Sequence, residues 1–499
     1  MVQDDAPVRF ASDGSLLWLL GAIPLLFAGT GLWALPLAAW LAPVVLLRFV
    51  RDQPTGRGCA IAVLVLGVVC TVTWHGAAER PLQGALVYLA GASFGLAAGL
   101  PYLIDRLLAP RLSGLAGTLV FPAAAVATEY AVSFGPFGTW GSVAYTQHNL
   151  SLLQLTSVTG IWGVSFLLHW TAGVANAAWE EGLSSPATRW ATGLWAGLLA
   201  AVFLLGGARL AWDAPADPIP VATVTGRHDA SSFWALHRRA PGPAAVRGSA
   251  RAIQRDYLRR ARQAARAGAR LVTWPEAAVP VPREDTAAFL DRARRLAADH
   301  EVYVAMALNV FPRPGSDAQL ENKVVWIGPD GARRTEGRKT HLVPGEPGRA
   351  GTGSLPQVST PEGTWSSAVC YDLDFPTLLR QAGRKGVDLL VAPSNDWAAI
   401  ADRHAHMARI RAIENGTALL RPTSNGRTLA TGPLGRTRAR MNHTASGPRL
   451  QIAHLPARSA VALYPFLGDA FAWACGLGLL LLVGRARLRP EAASWTEVA

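Results

Sequence analysis

The sequence predicts an α-helical membrane domain of about eight transmembrane helices joined to an α/β domain in water. Three observations predict it. Of 499 residues, 50% are hydrophobic and only 16% charged, and the mean hydropathy is +0.21. A water-soluble chain of this length carries more charge. The stretches 14–47, 58–78, 81–104, 130–179 and 190–208 hold no Asp, Glu, Lys or Arg. From Trp212 to Arg458 the composition becomes that of a soluble domain, with strand-like and helical segments in alternation.

Crossing the bilayer core takes about 20 apolar residues in a helix. Prolines and glycines divide the longer stretches, giving spans near 15–32, 34–50, 59–75, 83–104, 113–133, 157–179, 190–210 and 460–483. Seven precede the soluble domain and one follows it. The expected division is 1–213 membrane, 218–458 catalytic-type domain, and 459–499 last span and tail. Arg48, Arg51, Arg57, Arg106, Arg111, Arg189, Arg485, Arg487 and Arg489 fall in loops on one face, and only Arg80 on the other. Positive loops stay in the cytoplasm. Both termini are therefore expected there, with the soluble domain outside. Asp4, Asp5 and Asp13 make a poor signal-peptide start, so the first span is expected to be retained.

The net charge of +13 fits anionic lipid better than nucleic acid for a domain facing outward. Of the four cysteines, Cys59, Cys70 and Cys475 fall in or beside predicted spans. Cys370 is alone in the soluble domain, which excludes an internal disulfide and makes it a candidate nucleophile. No His/Cys/Asp spacing suggests a metal, and no phosphate loop suggests a nucleotide. No cofactor is expected.

In the soluble domain, strands are expected at 219–225, 270–274, 301–308, 323–327, 366–370, 387–392 and 418–424, with later ones near 428–431 and 450–454. Helices are expected at 246–267, 285–298, 377–383 and 404–415. Arg247, Arg251, Arg255 and Arg259 form a row at helical spacing, read as a solvated face.

Three strand-end residues carry the chemistry. Cys370 is a strong nucleophile only as thiolate. Glu276, after Trp274-Pro275, suits a general base. Lys339 suits a fixed charge that stabilises an oxyanion. Singly, each is more ordinary as core, turn or surface. Together and in this order they point to acyl transfer through a thioester. Glu129, near the outer end of the fifth span, is either functional or an interhelical hydrogen-bonding group.

The order Glu, Lys, Cys resembles the nitrilase (carbon–nitrogen hydrolase) superfamily. Val272-Thr-Trp-Pro-Glu-Ala-Ala-Val-Pro280, Lys339-Thr-His-Leu-Val-Pro-Gly-Glu346 and Val369-Cys-Tyr-Asp372 resemble its base, lysine and nucleophile segments. The membrane part, with Thr128-Glu-Tyr130, Gly135-Pro-Phe-Gly-Thr-Trp140 and Tyr145-Thr-Gln147, resembles the bacterial apolipoprotein N-acyltransferase family. That resemblance implies an αββα sandwich on the extracytoplasmic face of the inner membrane. It implies Glu276, Lys339 and Cys370 as catalytic, Glu346, Tyr371 and Asp372 as supporting, and Trp234, Asn395 and Trp397 as substrate-binding. It implies a phospholipid acyl donor and a diacylglyceryl-lipoprotein acceptor. Two departures stand out: Asp372 where the family usually has Glu, and a lysine segment one residue tighter before Glu346. The alternatives are a membrane-anchored amidase using the same residues, and a transporter or sensor with a degenerate outer module.

Overall fold

The computed structural model describes residues 13–78, 82, 84–212, 217–226, 243–313, 316–442, 449–456 and 458–488. They divide into two compact units. One is Met1–Leu152 with Ile161–Leu205 and Asp469–Ala499, and the other is Leu153–Gly160 with Gly206–Gly468.

The first unit is helical. Among the described residues, five helices, Thr55–Ala77, Ala85–Arg111, Leu115–Val132, Pro186–Ala211 and Ala470–Arg487, are long and apolar enough to cross a membrane. The number is six if Leu150–Thr159 and Ile161–Glu181, bent by 119°, make one span. Asp13–Gly29 and Pro36–Arg51, with 17 and 16 residues, fall short of the ~20 that a full span needs. The last helix starts at Ala470 and not near 460. Gly468, at φ +60°, closes a separate turn over Tyr464–Leu467 by donating its N–H to Tyr464 O. Close helix packing rests on small residues: a Cβ at Gly95 would stand 2.2 Å from Gly67 Cα. Buried Asp105 accepts two hydrogen bonds from Arg51, at 2.8 and 2.9 Å. Glu129 accepts from Ser142 Oγ, Ser165 Oγ and Val143 N, so its carboxylate ties the 142–143 segment to two helices.

The second unit is a four-layer sandwich. Its first sheet contains β1 (Pro218–Thr225), β2 (Leu271–Thr273), β3 (Val279–Pro282), β4 (Tyr303–Phe311), β5 (Glu321–Ile327) and β6 (Arg333–Arg338). The second contains β7 (Gln357–Thr360), β8 (Gly363–Ser367), β9 (Leu389–Val391), β11 (Ala418–Arg421), β13 (Arg427–Thr431) and β14 (Thr437–Asn442), while β10 (Ser394–Asn395) and β12 (Thr423–Ser424) pair separately. The final strand, β15 (Arg449–Pro456), returns to the first sheet beside β1. The strand orders are β15-β1-β2-β4-β5-β6, with β3 on β4, and β14-β13-β11-β9-β8-β7. Both sheets mix parallel and antiparallel pairs.

One apolar core joins the sheets. Trp326 of β5 donates to Ser367 Oγ at the end of β8, and Tyr303 meets Trp365 edge-on at 5.0 Å. The Pro243–Arg266 and Thr286–Asp299 helices cover the outside of the first sheet, with Tyr257 against Trp274. The Pro376–Arg384 and Ala401–Asn415 helices bury Leu378, Leu379, Ala408 and Ala412 against Leu390 and Leu419 of the second. The nucleophile strand stops at Ser367 and not at Cys370, because the chain turns out of the sheet there.

Gly416 closes the Ala401–Asn415 helix in the left-handed region, at φ +63°. A Cβ there would lie 2.0 Å from Ala460 O. Gly416→Ala therefore meets both backbone strain and a backbone clash. Thermal melting should show a loss of about 1–3 kcal/mol or more. An unchanged melt would show that Ala460 yields easily.

Candidate active site

Each candidate stands where a strand gives way to a turn. After β2, the fully buried Trp274 donates Nε1–H to Ala307 O. Pro275 ends the strand, and Glu276 follows, 4% exposed. Ala277, immediately after it, has φ +53°. Lys339 lies just past β6, its N–H bonded to Asn322 O, and is 2% exposed. Cys370 follows β8 along the edge of β9, where its N–H reaches Pro393 O at 2.8 Å. Its φ of +48° is uncommon for a residue with a Cβ and costs of order 1–3 kcal/mol.

The lysine ammonium is enclosed by acid. Nζ lies 2.8 Å from Glu276 Oε1 and 2.7 Å from Glu346 Oε2. Val343-Pro-Gly-Glu346 delivers Glu346. Glu346 N bonds Val343 O at 2.8 Å, and Gly345 has φ +83°. Proline second and a left-handed glycine third are what a type II turn requires. The turn curls Glu346 back, so that Oε2 also accepts from Val343 N. Asp372 ties two segments together: its carboxylate accepts from Thr340 N, His341 N and Val369 N at 2.8–3.0 Å. The loop after the lysine and the residue before the thiol are thus held by one side chain.

Burial sets the charge states. Desolvation raises the Cys370 thiol well above its ordinary range, and Glu276 adds to the rise more than Lys339 offsets it. Burial alone would lower Lys339, but Glu276, Glu346 and Cys370 outweigh it and hold the amine far above the usual lysine value. The resting site is an ammonium beside a neutral thiol. Tyr371, next to the nucleophile, packs edge-on against Phe375, and burial raises its phenol.

A second charged cluster borders the thiol. Cys370 Sγ, an Asp396 oxygen and a His404 ring nitrogen all lie within 4.8 Å of one another. This spacing can hold a metal, and three positions so far apart in sequence gave no sign of it. However, Arg421 Nη2 already meets both Asp396 oxygens, at 2.8 and 2.9 Å. A metal would have to face that guanidinium, so the donor set fits a buried ion-pair network better. His404 Nδ1 lies 2.8 Å from both Asp396 Oδ1 and Arg421 Nη2. Two donors cannot bond each other, so the Nδ1 proton goes to the carboxylate. Burial lowers His404, but Asp374 and Asp396 outweigh it and raise it to about 9.

The structure thus brings Glu276, Lys339, Glu346, Cys370 and Asp372 together. Asn395, half-buried on β10, accepts from Asn425 Nδ2, and Trp397 follows on the same loop. Trp234 lies outside the described residues. Sequence reasoning missed Asn322, whose Nδ2 donates to Glu276 Oε1 at 2.7 Å and reaches Glu346 Oε1 at 3.4 Å. An asparagine between Glu321 and Lys323, just ahead of the apolar run 324–327, was the available signal, since strands are depleted in it.

Two family models match the chain: carbon-nitrogen hydrolase over residues 228–463, and the apolipoprotein N-acyltransferase N-terminal domain over 15–174. Among relatives, the apolipoprotein N-acyltransferase of Geobacter metallireducens is 28% identical over 75% of both chains. That of Shewanella oneidensis is 26% identical over 89% of both, and that of Azotobacter vinelandii 27% over 96% of both. An amidase from Nesterenkonia sp. aligns with a TM-score of 0.39 at 19% identity, over 52% of this chain and 97% of its own.

The His404 cluster implies a pH dependence. A histidine raised in the folded state stabilises fully below its unfolded value of about 6.5 and loses that contribution as pH rises through about 9. Melting followed from pH 6 to 10 should show the catalytic unit losing a few kcal/mol, at about 1.4 kcal/mol for each pH unit between those two values. His404→Gln should flatten this slope.

Proposed function

Because this chain belongs to the apolipoprotein N-acyltransferases within the carbon–nitrogen hydrolases, we propose that Cys370 carries a fatty acyl chain from a phospholipid to the α-amino group of a diacylglyceryl-cysteine at a lipoprotein N-terminus. The observation that carries the residue roles is the buried Lys339 ammonium between Glu276 and Glu346, beside a neutral thiol.

A thiol held neutral needs its proton removed as it attacks. Glu276 takes that proton while sulfur bonds the ester carbonyl carbon. The carbonyl oxygen becomes an oxyanion. Two Lys339 N–H bonds go to carboxylates, and the third serves the oxyanion. Collapse breaks the ester C–O bond, and Glu276 returns its proton to the departing lysophospholipid oxygen. In the second half, the amine attacks the thioester carbonyl and gives a proton to Glu276. The C–S bond breaks, and the proton returns to sulfur. Glu346 keeps the ammonium in place, and Asp372 holds the lysine loop against the nucleophile turn. Asn395 and Trp397, with Trp234, belong to the substrate side in this reading. The excess of arginine in the loops of one side supports a reading in which both termini are cytoplasmic and the catalytic unit faces outward from the bacterial inner membrane.

The test is mass spectrometry of the full-length protein in mixed micelles with phospholipid. A fatty-acyl mass should appear on Cys370 and disappear when diacylglyceryl peptide is added, as N-acylated peptide forms. Cys370→Ala should abolish both steps; N-acylation by that variant would end the proposal. Release of ammonia from small amides, with no fatty-acyl mass on Cys370 after incubation with phospholipid, would favour the amidase. Glu276→Gln should slow acyl-enzyme formation by about 10²–10⁴-fold.

A further inference from the structure

Asn322, second in β5, lies opposite the start of the lysine loop, with its backbone O accepting from Lys339 N. It is 7% exposed. Its amide orientation is fixed chemically: Nδ2 faces two carboxylates, Glu276 and Glu346, which can only accept. Its Oδ1 is buried with no hydrogen-bond partner. An asparagine kept only for structure would be expected to use both ends. Here the bonded end is the one aimed at the carboxylate beside the thiol. Glu276 Oε1 takes hydrogen bonds from both Asn322 Nδ2 and Lys339 Nζ, at 2.7 and 2.8 Å.

We infer that Asn322 is a positioning residue: with Lys339 it occupies Oε1 of Glu276 and so presents Oε2 to the proton of Cys370. The inference rests on the thioester route proposed above. A donor on one oxygen favours the charged base and stops the carboxylate rotating. Two donors converging on Oε1 from different elements restrict the carboxylate more than Lys339 does by itself. Among the described residues, Lys339 bonds Glu276 directly, Cys370 interacts with it, and Glu346 shares the same ammonium. Asp396 and Arg421 act on the thiol as well.

The test reads acyl-Cys370 formation from phospholipid in single turnovers of the full-length protein between pH 5 and 9. Asn322→Ala removes a donor, so the rate at neutral pH should fall about 10–100-fold and the acidic limb should move to higher pH. Asn322→Asp adds a third carboxylate, and the limb should move up further, by about one pH unit or more. Asn322→Ser keeps a small polar side chain and serves if the aspartate variant does not fold. Limbs that stay at the wild-type pH, with only lower melting temperatures, would overturn the positioning role. Absence of acyl-Cys370 in the wild type would overturn the thioester route itself, and wild-type acylation beside unshifted variants would overturn Asn322 alone.

Discussion

An ammonium group almost sealed from water needs opposite charge at contact distance, or it loses its proton. Lys339 meets that need with Glu276 on one side and Glu346 on the other. The rest of the site follows from this constraint. Asn322 supports the first carboxylate, a type II turn supplies the second, and Asp372 anchors the loop that carries the lysine. Removing either acid leaves a buried charge half-compensated, which is more damaging than losing a surface ion pair.

The same enclosure decides how the thiol reacts. In many thiol enzymes a nearby cation lowers the sulfur's pKa and stores a thiolate. Here the cation is already matched by two carboxylates, and burial with Glu276 outweighs it, so the proton stays on sulfur. A stored thiolate would face water and oxidants between turnovers. In the proposed reaction, a neutral thiol stays inert until a carbonyl arrives and Glu276 takes the proton in the same event. The left-handed backbone at Cys370, held by Pro393 O, keeps the sulfur at the turn and out of the sheet's own packing.

The parts of this arrangement legible in the sequence were those with local signatures. Apolar strands ending at Trp274-Pro275 and before Cys370 could be read from pattern and punctuation. The edge strands could not. β6 reads Arg-Arg-Thr-Glu-Gly-Arg, because an edge strand with solvent on one side carries charge instead of an apolar alternation. β3 holds two prolines, tolerable where the strand pairs on one side, with β4. The cluster of Asp374, Asp396, His404 and Arg421 was equally hidden. Its members come from a turn, a loop, a helix and a strand, and only the second sheet's topology joins them.

Asp372 and Glu346 act on one distance, that between the lysine segment and the nucleophile turn. Asp372 accepts from Thr340 N and His341 N, at the start of the lysine segment, and from Val369 N, just before the thiol. Pro344-Gly345 closes the loop in four residues, and Glu346 bonds back to Val343, so the segment returns its carboxylate to Lys339. A longer side chain at 372 would push the loop outward, and a looser turn would move Glu346 off the ammonium. The buried ammonium between Glu276 and Glu346 is what that distance preserves.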